Sequence, residues 1–153
     1  MDAQTKGKII RFYQVMEKMQ TVKNFRIGMI ITSPENETLS DIASLAPNSN
    51  RVTSVALDQD SNGENIIVNE LAAGLEDGRI ILLQISGYLD PKIYNQLYLL
   101  ANSGRMEYVF LDQERVFIYS KLGAQIILLS SQENLDKLNY TNILNLVSLV
   151  KRL

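Results

Sequence analysis

The chain has 153 residues, 46% of them apolar and 21% charged, with a formal charge of −2. That length fits one compact domain, 1–153, able to bury a sizeable core. Cysteine and histidine are both absent, which excludes disulfide frameworks, thiolate metal sites, cysteine nucleophiles, serine–histidine triads and the commonest zinc and haem ligands. The charge gives no electrostatic pull toward nucleic acid or an anionic membrane. No run reaches the ~18 apolar residues of a membrane span, and MDAQTKGKIIRFYQ lacks the apolar middle of a signal peptide. An intracellular protein, cytoplasmic or nuclear, is expected, with neither nucleic acid nor membrane as partner.

Residues 5–22 place Ile9, Phe12, Tyr13, Met16 and Met19 on one helical stripe, with Lys8, Arg11, Glu17 and Lys18 largely opposite. Such a helix faces either the core or a partner, and Phe12 is a candidate contact residue on the second reading. Phe25–Thr32 reads as an apolar strand, and Thr38–Ala46 as a short helix after the loop Ser33–Glu37. Arg51–Leu57 is β-branched and strand-like, and Glu64–Leu75 has helical spacing at Ile67, Leu71 and Leu75. In RIILLQIS, Arg79–Ser86, four consecutive aliphatics predict a strand buried on both faces. Asp90 as cap and Pro91 in the first turn open a helix over 90–102, which Ser103-Gly104 ends. Met106–Leu111 and Arg115–Tyr119 form a hairpin pattern, and AQIILL, Ala124–Leu129, is a second buried strand. Ile143, Leu146, Leu149 and Val150 predict a C-terminal helix over 139–153.

This alternation, with a sheet core over 25–138, predicts an α/β fold: three layers, a mostly parallel sheet with helices on both faces. Ligands meet such sheets at the carboxyl ends of the strands. For the central strand that end is Gln84–Gly87, which carries no reactive group.

The order of elements resembles the large subdomain of an AAA+ ATPase, the ring-forming P-loop family, and within it the clade of dynein motor domains, midasin and the MoxR group. KIIRFYQVME corresponds to a helix before the first strand, and SPENETLSDIASLA to the phosphate loop and its helix. VALDQDSNGENIIVNEL is similar to a strand and D-x-D-S/T segment opening a helix. IILLQI corresponds to the Walker B strand, LDPKIYNQLYLLANSGRMEYVF to a helix with an insertion hairpin, and QIILLSSQENL to the sensor strand. The likeness covers roughly residues 8–138. It implies a P-loop NTPase-like fold with strand order 5-1-4-3-2, where a flavodoxin-like domain would have 2-1-3-4-5. The family's fifth strand and helical lid find no room in the last 20 residues read as a helix.

The chemical positions depart from the family pattern. A phosphate loop, G-x-x-x-x-G-K-[ST], needs glycines for close backbone approach, a lysine cation and a hydroxyl for magnesium. On residues 33–40 the glycine positions become Ser33 and Thr38, the lysine becomes Leu39, and Ser40 alone keeps its hydroxyl, while Glu35 and Glu37 add negative charge. The Walker B carboxylates become Gln84 and Ile85, and the sensor falls at Ser130 or Ser131. Each lost charge-assisted contact removes about 1.5–3 kcal/mol. Micromolar affinity corresponds to about 8 kcal/mol, so three or four losses leave little binding. No cofactor, no metal and no ATP hydrolysis are expected.

Other constellations are weaker. DQDSNGEN sets Asp58, Asp60, Asn62 and Gly63 in register with a calcium loop, but the twelfth position is Asn69, with Glu70 one residue late. Glu76-Asp77 and Asp112 with Glu114 sit in turns, and Ser86, Ser120-Lys121 and Ser130-Ser131 lack any S-x-x-K or G-x-S-x-G setting. Four of the seven tyrosines, Tyr88, Tyr94, Tyr98 and Tyr108, cluster between 88 and 108. Amphipathic tyrosines suit either a core edge or an interface. The expectation is therefore a non-catalytic, AAA+-like structural module contacting other proteins in a homo- or hetero-oligomeric assembly. The alternatives are a stand-alone α/β binding domain and a histidine-independent hydrolase.

Overall fold

The computed structural model describes residues 1–20, 25–33, 39–48, 51–57, 63–109, 114–121, 123–138 and 140–153. Five strands form one parallel sheet: β1 (Ile27–Thr32), β2 (Val52–Leu57), β3 (Ile80–Ile85), β6 (Gln125–Ser131) and β7 (Val147–Arg152). Across the sheet they run β2-β3-β6-β1-β7. Counted in chain order and read from the other edge, that is 5-1-4-3-2, the order the resemblance implies, and not 2-1-3-4-5.

Period-two alternation sends side chains of each central strand to opposite faces. Ile81, Leu83 and Ile85 of β3, with Ile126 and Leu128 of β6 and Met29 and Ile31 of β1, meet one helical layer. That layer holds α3 (Gly63–Asp77), α4 (Pro91–Ser103), α5 (Gln132–Lys137) and α6 (Tyr140–Leu144). Ile80 and Leu82, Ile127 and Leu129, and Ile30 face the other layer, built from α1 (Ala3–Met19) and α2 (Leu39–Ser44). The three-layer α/β architecture read from the sequence is therefore the one observed. Both faces of β3 and β6 are dry, which explains their unbroken aliphatic runs.

α1 begins where the Asp2 carboxylate accepts the Thr5 N–H at 2.7 Å, a bond that holds its carboxyl below the usual range. The helix then crosses β1 at Gly28. A Cβ there would lie 2.6 Å from Met16 Sδ and 2.7 Å from Phe12 Cζ, so the absence of a side chain lets the helix sit against the strand. Asp90 caps α4 by accepting the Lys92 N–H at 2.8 Å, and Gly104, at φ 68°, ends it in the left-handed conformation. The remaining strands, β4 (Arg105–Val109) and β5 (Arg115–Tyr119), form a separate antiparallel hairpin beside α4. Gln96 clamps the two by exchanging two hydrogen bonds with the Glu107 backbone, at 2.8 and 3.0 Å.

Two expectations need correction. The helix read over 139–153 is the short α6 followed by the strand β7. Ile143 and Leu146 do pack into the α4 layer, but from Val147 onward the chain pairs with β1, and the Leu153 N–H reaches Ile31 O at 3.0 Å. The last 20 residues thus supply the fifth strand they were read as having no room for. Phe12, a candidate contact residue, is 3% exposed and packs in the core with Ile9, Tyr13 and Met16; the stripe of α1 is a core face.

Candidate functional site

The carboxyl ends of β1, β3 and β6 meet over a polar cavity of about 230 Å³. Thr32 and Ser33 come from β1 and its exit, Gln84 and Ile85 from β3, and Leu129, Ser130 and Ser131 from β6. Leu39 and Ile42 of α2 and Asn134 of α5 complete the lining. Parallel register makes this juxtaposition: Gln84 stands beside Leu129, Ile31 beside Ser130, and Thr32 beside Ser131. The sheet therefore brings Ser33, Leu39, Gln84, Ile85, Ser130 and Ser131 into one place. Thr38 lies outside the described residues, as do Glu35 and Glu37, and Ser40 is exposed on α2 without lining the cavity.

The polar groups that converge here are largely occupied with one another. The Ser130 hydroxyl, buried, donates toward Ile85 O at 3.2 Å and Ser131 O at 3.3 Å. Thr32 Oγ1 donates to Ser130 O at 3.4 Å, and Ser131 Oγ accepts the Asn134 N–H at 3.1 Å, capping α5. These bonds lock the strand ends and start the next helix. Among the described residues, no charged side chain lines the cavity.

A magnesium nucleotide is what the fold likeness implies, and the donor set does not fit it. Where a lysine would neutralise phosphate, Leu39 presents an aliphatic side chain that also packs against the α1–α2 core. Where a carboxylate would hold magnesium, Gln84 presents a neutral amide. The volume is below the ~300–1,000 Å³ of pockets that enclose drug-sized ligands. A neutral hydrogen-bonding niche can hold water or a small uncharged molecule; among the described residues its lining offers no cation to compensate a triphosphate's charge.

Asp58, Asp60, Asn62 and Asp112 lie outside the described residues, and Gly63 opens α3. Asn69, the twelfth calcium-loop position, accepts the Tyr108 hydroxyl at 2.6 Å. Asp77 pairs with Arg79 at 3.0 Å. Among the described residues, no group of three or more acidic side chains could hold a metal ion. The Ser120 and Lys121 backbones are tied to Gly104 O and Leu75 O at 3.3 and 3.1 Å.

The tyrosines separate into two kinds. Tyr94 and Tyr108 are structural, the first donating to Asn142 O at 3.1 Å and the second bonded to Asn69. Tyr88 and Tyr98 are exposed, and Tyr98 stacks on Tyr94 with ring centroids 6.3 Å apart. The sequence marks the hairpin at 106–119 as a candidate contact element without singling out Phe117 and Tyr119, which are 48% and 59% exposed on its outer face. Arg105 lies 4.0 Å over the Phe117 ring, a cation–π contact. The alternation in RVFIY announces two faces but not which one turns outward.

No protein-family model matches the chain, and no curated protein matches it. Among the described residues, no helix is long and apolar enough to cross a membrane.

Proposed function

We propose that this chain is an AAA+-like module with decayed Walker A and B motifs, acting as a structural, protein-binding subunit of an intracellular assembly and not as an enzyme. One observation carries the reading: Leu39 and Gln84, which the resemblance sets at the positions of the cation and the metal-binding acid, both line the cavity at the sheet's carboxyl end. The strand order, 5-1-4-3-2 counted in chain order, supports the reading. The exposed aromatics Tyr98, Phe117 and Tyr119 on α4 and the hairpin support contact with other proteins, because amphipathic aromatic side chains dominate interface energetics.

Titration with a fluorescent ATP analogue, with and without magnesium, tests the reading. No saturable binding is expected up to millimolar analogue, and micromolar binding overturns it. Light scattering distinguishes the stand-alone alternative, which predicts a strict monomer that no partner joins.

A further inference from the structure

On the α1 face of the sheet, at the edge formed by β7, lies a second cavity of about 530 Å³. Its apolar floor comes from Phe12 and Val15 of α1 and Leu149 of β7, and its rim carries Lys8, Arg11 and Lys151. None of these three cations forms an ion pair among the described residues. Gly7 stands in the wall, and a Cβ built there would meet nothing within 4 Å.

The adjoining strand is open as well. β7 is the last strand of the sheet order and pairs only with β1 among the described residues. Its outer backbone groups form the template that strand addition uses.

We infer that the α1–β7 groove binds an extended acidic segment of a partner protein, which adds as a strand along β7. Its backbone pairs with the open edge, an apolar side chain fills the floor between Val15 and Leu149, and its carboxylates meet Lys8, Arg11 and Lys151. The charge decides the occupant. A second copy of this chain, laid edge to edge, would set the same cations against their own kind, which disfavours self-pairing. An acidic strand neutralises all three. The choice of a polypeptide occupant rests on the protein-binding reading above, but the site is independent of the nucleotide question. ATP binding would overturn that reading and leave the groove untouched.

The test is selection from a displayed library of random 12-residue peptides on the full chain. Enriched peptides should combine two or more Asp or Glu with apolar residues, and hydrogen exchange should slow in the Val147–Leu153 backbone when they bind. Lys8→Glu with Arg11→Glu should weaken the selected peptides about tenfold or more. Gly7→Trp, placed in open space, should obstruct the groove while the fold survives. Four outcomes overturn the proposal: no enrichment, enriched peptides without acidic excess, binding indifferent to both sets of substitutions, or protection elsewhere in the chain. So does a dimer in light scattering that these substitutions abolish, or binding to phosphatidylserine vesicles with no peptide selected.

Discussion

Tyr13 donates its hydroxyl to the carbonyl of Ile42 at 2.8 Å, a buried bond that ties α1 to α2 across the face of the sheet. Burial raises the tyrosine's ionisation well above its ordinary value near 10. Tyr13→Phe should destabilise by about 0.5–1.5 kcal/mol, the worth of one hydrogen bond, because the Ile42 carbonyl still accepts the Leu45 N–H at 3.2 Å. The sign with pH follows from linkage. A raised folded value means that the contribution is whole below about pH 10 and is lost as pH climbs above it, since the unfolded hydroxyl ionises first. Urea midpoints at pH 8 and pH 11 check this: the alkaline loss should be smaller in Tyr13→Phe than in the parent.

The α1–β1 contact makes a second prediction. Gly28→Ala pushes a methyl into Met16 Sδ and Phe12 Cζ, and overpacking of this kind costs about 1–3 kcal/mol. Met16→Ala alone should cost about 2–5 kcal/mol through its cavity. In the double variant the new methyl occupies part of the vacated space, so the two losses should fall short of additive. Denaturant midpoints of all three variants measure the difference.

The hairpin offers a contrast between neighbours in sequence. Ile118 is buried opposite Met106, whereas Phe117 turns outward opposite Glu107. Ile118→Ala should cost about 2–5 kcal/mol. Phe117→Ser, losing a half-exposed ring and its cation–π contact, should cost at most about 1 kcal/mol. Thermal unfolding of the two variants checks the ranking. Near-equal losses would mean that the outer aromatic face contributes to folding and is not left free for contact.

Much of this architecture was legible because local chemistry and tertiary demand agree. The aliphatic runs at Ile80–Leu83 and Ile126–Leu129 could only satisfy both sheet faces, and Asp90-Pro91 and Gly104 mark both ends of α4. β7 was hidden because Ile143, Leu146, Leu149 and Val150 fit a helical period, and pairing with β1 overrides that spacing. Phe12 illustrates a different limit: an apolar stripe states that a face is covered, not by what. The gathering of Ser33, Leu39, Gln84 and Ser130 at one cavity follows from the parallel register of β1, β3 and β6. The α1–β7 groove was hidden, since it joins residues near opposite ends of the chain, one side of it on a strand read as a helix.

The proposal that the niche above β1, β3 and β6 binds no nucleotide rests on Leu39 and Gln84 in its lining. The most direct measurement is an amide NMR titration with magnesium-ATP, followed at Ser33, Leu39, Gln84 and Ser130. The account predicts that these resonances do not shift saturably up to millimolar nucleotide. A saturable shift at these four positions with a micromolar midpoint would contradict it.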